Sequence, residues 1–286
     1  MSTEAARVTV VQTEFERLQQ YLAALPEAAW TTPSACALWA VRDVVAHLTR
    51  VANLYHDSIT RGLQADTSTP AGRAEPNTFN TLSREQRKQS AMAAAQDNIA
   101  FGERVGTDLL AVFSHAWDQF THLVAGVSPH AWDTPCYHPR SLLPVRALVH
   151  AGVFELAIHG WDIRSALEPS THLAPEALAV MLDHFVACVH WCFLPDAKLP
   201  TPVRYRFALT GTLTSTWDIV VEGDTAHMAP TAEALPAHAT FRCDGETFVL
   251  LLCGRVRLET AIGDRRVIPT GDEAWVRAFP TWFQGA

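Results

Sequence analysis

Apolar residues recur at steps of three and four from the start of the chain. Val8, Val11, Phe15, Leu18, Leu22 and Leu25 line one face of a helix predicted over residues 4–25. Pro26 and Pro33 punctuate the following loop, and Val41, Val44, Val45, Leu48, Val51, Leu54 and Tyr55 then repeat the period, predicting a second helix over 41–59. Residues 62–80 are rich in Gly, Pro, Thr and Ser and poor in large apolar side chains, so they read as a long connection. Ser83 and Gln86 have the spacing of a capping box that opens one long third helix reaching residue 127, with Gly102 and Gly106 as bend points. After a loop carrying Pro129, Pro135 and Pro139, a fourth helix runs over 144–167, and proline is tolerated in its first turn because the amide it lacks has no helical partner there. Four such helices with apolar stripes pack most readily as an antiparallel bundle.

A fifth helix is expected over 175–193, interrupted by Leu194, Pro195, Pro200 and Pro202, and there the texture changes. Residues 203–209 and 215–221 are β-prone and flank a short turn, predicting a hairpin, and 239–242 reads as a third strand. Asp244, with Glu246 and Thr247 behind it, opens a short helix through Leu252, and one or two more strands and a C-terminal helical turn follow. The expected fold class is α+β, with a helical bundle over 1–170 and, over 171–286, a linking helix and a smaller α+β domain.

Length and composition agree with that division. The 286 residues are 48% hydrophobic and 18% charged, which excludes disorder, and domains of ~150 residues would give two. No apolar run approaches the ~18 residues of a membrane-spanning helix, so no membrane partner is expected. The 22 basic residues against 30 acidic ones, a formal charge of −8 and the lack of a Lys/Arg cluster argue against nucleic acid. The opening MSTEAARVTV has no signal-peptide pattern, and six cysteines lack a CxxC pair, so the expected setting is the cytoplasm, with reduced thiols.

The segment that carries chemistry is ELAIHGWD, residues 155–162. Glu155 and His159 are four apart, close to one helical turn, and project from the same face, where they can bind one metal ion. An isolated pair of this kind is more often structural or solvated, but Val153, Phe154, Leu156, Ile158 and Trp161 surround this one with apolar side chains, and a carboxylate there needs a cation or donors. His47 on the second helix, beside Val44 and Leu48, is a matching third ligand. Asp162, one turn beyond His159, is a candidate for orienting a ligand or substrate, with a helix-end salt bridge as the plain alternative. His184 and Cys188 also have ligand-compatible spacing, near His190 and Cys192, but no second pair completes a zinc-finger pattern and core packing is the expectation. His115 and His122 are expected to line the bundle in buried or supporting roles.

WTTPSACALWAVRDVVAHL (residues 30–48), together with residues 155–162, resembles the mycothiol-dependent maleylpyruvate isomerase family. FRCDGETFVLLLCGR (241–255), followed by Gly263 and Asp264, is similar to the C-terminal part of the same family. The resemblance implies a DinB-like metal-binding four-helix bundle followed by a sterol-carrier-like α+β domain. It implies a divalent ion, usually zinc, on His47, Glu155 and His159. Three protein ligands leave a position open for water or for the thiol of mycothiol. The implied chemistry is addition of a metal-activated thiolate to the cis double bond of maleylpyruvate, rotation, and elimination to the trans isomer. A dianionic substrate calls for a cationic clamp, and the resemblance points to a C-terminal arginine, first Arg255, then Arg257 and Arg265, each with a surface salt bridge as the alternative. One departure is Leu38, where the family commonly has glycine. The connection over 62–80 is a second place where substrate pockets diverge.

Three readings remain open at this point: a mycothiol-dependent isomerase or thiol transferase acting on a small electrophile, a thiol-independent zinc hydrolase or non-haem iron enzyme on the same ligands, and a non-catalytic small-molecule binding protein. Monomer and homodimer are both compatible with the sequence.

Overall fold

The computed structural model describes residues 4–194, 199, 201–231, 235–283 and 285. The chain divides into two compact units, Met1–Val180 and Met181–Ala286. Among the described residues no helix is long and apolar enough to cross a membrane.

The first unit is helical. Helices α1 (Glu4–Ala24), α2 (Val41–Leu63), α3 (Arg84–Val105), α4 (Leu109–Ala125) and α5 (Val145–Leu167) are joined by loops, and a two-residue strand pair, β1 (Pro135–Cys136) and β2 (Leu143–Pro144), precedes α5. The single long third helix expected over 83–127 is in fact two. Gly106 takes a φ of 63°, in the left-handed half of the map that glycine enters freely, and the chain turns there before α4 starts. The two halves also differ in burial. α4 buries Leu109, Phe113, Trp117, Phe120 and Val124, whereas α3 buries only Ala95, Asn98 and Gly102. The bundle therefore consists of α1, α2, α4 and α5, and α3 leans on α2 from outside. Gly102 permits that approach, since a Cβ there would stand 3.3 Å from the Ala46 methyl.

Local sequence sets the helix ends, at α3 as expected and at α2 through a cap the sequence reading did not mark. Asp43 accepts the Ala40 amide at 2.9 Å at the start of α2. At α3, the Ser83 amide donates to the Gln86 side chain at 2.9 Å and the Gln86 amide to Ser83 Oγ at 3.3 Å, the reciprocal capping box. The core between helices is aromatic, with Phe15 against Phe113 and the Trp117 ring edge-on to Phe120 at 5.4 Å.

Helix α6 (Pro175–Cys188) spans the division between the units and ends before residue 193, in a 3₁₀ turn over Val189–Trp191. The interruption read at Pro195 and Pro200 lies outside the described residues. In the second unit β3 (Val203–Thr210) and β4 (Ser215–Glu222) form the expected hairpin. β5 (Thr225–Pro230), β6 (Ala239–Asp244) and β7 (Ile268–Gly271) complete a sheet of order β5-β4-β3-β6-β7, with β3 and β6 parallel. α7 (Gly245–Leu252) starts on Asp244, whose carboxylate accepts the Thr247 amide at 2.7 Å, and α8 (Leu258–Gly263) and α9 (Glu273–Trp282) follow. Val203, Tyr205, Phe207 and Leu209 alternate inward along β3, and Phe207 packs against Phe241, Phe248 and Phe279. On the other face Arg204 and Arg206 converge on buried Asp218, which also accepts from Thr231.

Candidate metal centre

His47 projects from the second turn of α2, and Glu155 and His159 from successive turns of α5, two helices packed against each other in the bundle. Glu155 Oε2 lies 3.1 Å from His47 Nε2 and 3.3 Å from His159 Nε2. One ligand atom from each of the three lies within 4.8 Å of the other two. Ligand bonds of ~2.0–2.2 Å in a tetrahedral zinc site put neighbouring donor atoms roughly 3.3–3.6 Å apart, so the spacing and the donor chemistry both fit one divalent ion. The His47 and Glu155 side chains keep about a fifth of their surface exposed, 22% and 20%, which leaves one side of the group open to solvent.

Each imidazole is held from behind. His159 Nδ1 lies 2.8 Å from Asp162 Oδ2, and Asp162 is completely buried. A histidine donating to a carboxylate presents its other nitrogen to a metal, the usual arrangement for a ligating imidazole. Asp162 thus reaches the group through His159 and does not face solvent itself. His47 Nδ1 lies 3.3 Å from the Asn98 amide on α3, and Asn98 in turn accepts from Arg50 at 2.5 Å. The Trp39 ring covers both histidines, 5.0 Å from His47 and 6.0 Å from His159 between centroids.

Burial and the mutual hydrogen bonds shift the three groups in different directions. Burial pushes the Glu155 carboxyl up, but hydrogen bonds from His159 and His47 outweigh it and hold Glu155 well below the usual carboxylate range. Burial disfavours the charged form of His159, yet Asp162, Cys36 and Glu155 raise it well above an ordinary histidine. His47, where burial dominates over the bond to Glu155, is lowered.

Several neighbours escaped the sequence reading. Cys36 contributes a sulfur that clusters with His159 and Asp162, and the Ala35 amide donates to the Asp162 carbonyl at 2.9 Å, tying the loop before α2 to α5. Asn98 is a buried amide on a largely solvated helix whose buried positions, Ala95, Asn98 and Gly102, carry no large apolar side chain to mark them. Trp39 and Cys36 stood within the motif and gave no separate signal, because what makes them neighbours of α5 is the path of the loop.

Other candidates fall elsewhere. Arg255 belongs to the second unit, where its guanidinium donates to the Cys253 carbonyl at 2.7 Å just beyond α7. Arg257 is largely exposed near Glu259, and Arg265 sits in a turn with φ 59°. His184, Cys188 and Cys192 are buried in packing, and among the described residues they form no convergent ligand group. His115 and His122 correct the expectation that they line the bundle: both are exposed, because α4 turns Phe113, Trp117, Phe120 and Val124 inward and leaves the histidines on the opposite side.

Fold and site define a two-unit protein whose helical bundle carries a convergent group of two histidines and one carboxylate, followed by an α+β unit. The family model described as the mycothiol maleylpyruvate isomerase N-terminal domain matches residues 11–164, more than half of the chain, and the chain belongs to that family. A crystal structure of the mycothiol-dependent maleylpyruvate isomerase is similar over 94% of this chain and 93% of its own, with a TM-score of 0.63 and 13% identity. A histidine-to-alanine mutant of that isomerase gives 0.61 and 14% over the same shares. The likeness shows that both units share that fold. Among curated protein sequences there is no match.

Proposed function

We propose that this chain is a metal- and mycothiol-dependent enzyme, an isomerase or thiol transferase acting on a small electrophile of the maleylpyruvate type. The observation that carries the reading is the single oxygen of Glu155 within 3.1 Å of His47 Nε2 and 3.3 Å of His159 Nε2, in a member of this family. A divalent ion on these residues, zinc first and iron second, would hold a thiol as thiolate near neutral pH. The protein's own part is positioning. Asp162 keeps the His159 proton on Nδ1 and turns Nε2 toward Glu155, while the Trp39 ring closes one side against water. The partly exposed edge of His47 and Glu155 gives the thiol and the substrate their approach.

The test is elemental analysis of the purified wild type, His47→Ala and His159→Ala, with a spectroscopic assay of maleylpyruvate turnover with and without mycothiol. Stoichiometric metal lost in both variants, together with thiol-dependent turnover, supports the proposal. Turnover without thiol would favour a hydrolytic or iron enzyme on the same ligands. A wild type that binds no metal would leave a small-molecule binding protein.

A further inference from the structure

Helix α3 meets the candidate metal centre at one residue. Its buried positions, Ala95, Asn98 and Gly102, share one face, and Gly102 lets that face come against Ala46 of α2, the neighbour of His47. Asn98, 4% exposed, is thereby set beside the His47 ring. Arg50, on the turn of α2 after His47, donates to Asn98 Oδ1 at 2.5 Å.

These contacts fix where protons can sit. A guanidinium only donates, so the atom that Arg50 meets is the amide oxygen, and the amide NH2 faces His47 Nδ1 at 3.3 Å. That nitrogen must accept, and the His47 ring therefore carries its proton on Nε2, which donates to Glu155 Oε2 at 3.1 Å. His159 is held the other way round: its Nδ1 faces the Asp162 carboxylate at 2.8 Å and keeps a proton there. An imidazole binds a metal through the lone pair of one nitrogen and donates its other N–H to an acceptor. The Nδ1 side of His159 meets that requirement as it stands. His47 does not, because its Nε2 holds the proton and its Nδ1 faces a donor.

We infer that Asn98 is a positioning residue for His47: oriented by Arg50, its amide holds the imidazole proton on Nε2, and it turns over, releasing Arg50, when His47 takes an ion. The turned amide accepts from Nδ1–H and points its NH2 at Arg50, where two donors oppose each other, so the guanidinium has to leave. Asp97 Oδ2, 3.9 Å from Arg50 Nη2, is the carboxylate that can receive it. The turning rests on the proposed function; the placement of the proton in the metal-free protein does not.

Two measurements test this. The first is proton–nitrogen correlation NMR of the histidine rings in the full-length, chelator-treated protein, with the His47 signals assigned by their loss in His47→Gln. Wild-type His47 is expected to be protonated on Nε2 alone, and Asn98→Asp, whose carboxylate accepts from both Arg50 and the ring, to add a proton on Nδ1. A wild-type His47 protonated on Nδ1 overturns the inference, as does a folded Asn98→Asp protein whose ring gains no Nδ1 proton. The second is zinc affinity, by chelator competition, in a double-mutant cycle of Arg50→Met and Asn98→Leu. With Asn98 in place its amide is freed to turn, and Arg50→Met should tighten zinc binding by about 10-fold. In the Asn98→Leu background only the lost positive charge acts, and the gain should be about 3-fold or less. Equal gains in the two backgrounds overturn the turning of the amide. A wild-type proton on Nε2 with no zinc bound by any variant sustains the positioning role and removes the functional reading. Zinc-dependent turnover with the wild-type proton on Nδ1 does the reverse.

Discussion

The fully buried carboxylate of Asp162 lies 2.8 Å from His159 Nδ1, one turn along the same helix. Its Oδ2 is the acceptor that decides which imidazole nitrogen faces Glu155. Asp162→Asn replaces that acceptor with a neutral amide, and metal affinity is expected to fall by about 10–100-fold, the usual effect of losing such a partner. Competition with a chromophoric chelator measures it. Unaltered affinity would reduce Asp162 to its backbone role, accepting the Ala35 amide.

If His47, Glu155 and His159 hold an ion as proposed, its removal should cost stability as well as activity. A ligand present at 100 times its Kd stabilises the folded state by about 2.7 kcal/mol. Chelator treatment is therefore expected to lower the melting temperature of the wild type and to leave that of Glu155→Gln unchanged. A wild type insensitive to chelator would speak against a bound ion.

Leu38 is 69% exposed and has a φ of 74°, the left-handed conformation that glycine adopts freely and a leucine adopts under strain. The turn before α2 therefore holds Leu38 in a conformation suited to glycine, the residue that the family resemblance leads one to expect there. Leu38→Gly should relieve about 1–2 kcal/mol of strain against about 0.5–1 kcal/mol of added chain entropy. A small gain in stability is expected, read by urea denaturation; a loss would mean that the leucine side chain contributes packing.

Asp218 predicts the acid response of the second unit. Burial alone would raise its carboxyl, but the hydrogen bonds from Arg206, Arg204 and Thr231 prevail and hold it below the ordinary value. A depressed folded-state pKa contributes stability that is complete above the unfolded value, near ~4, and is lost as pH falls through the lower folded value. Asp218→Asn is expected to destabilise by about 3 kcal/mol at neutral pH, and its deficit relative to wild type should shrink below about pH 4. A deficit independent of pH would show that the carboxylate charge is not what holds Arg204 and Arg206.

Arg255 tests the cationic role that the family resemblance assigned to the C-terminal part. Arg255→Ala is expected to lower kcat/KM by about 100-fold with metal content unchanged. Unchanged kinetics with a lower melting temperature would confine Arg255 to its bond with the Cys253 carbonyl.

The helices of the bundle, the hairpin and the capped starts of α3 and α7 were legible in the chain because each is written in local period and local capping chemistry. Glu155 and His159 were legible as a pair for the same reason, being one turn apart, and His47 was found by its setting on a neighbouring amphipathic helix. The split of the third helix was not, because whether Gly106 bends a helix or breaks it depends on what the two halves pack against. Nor were Asn98, Cys36 or the exposed faces of His115 and His122. Sequence alone thus determined most of the elements and one pair of candidate ligands, through interactions that span a few residues. The tertiary structure decided which side chains from distant segments share a point, because that convergence is set by packing across helices and no short-range pattern encodes it.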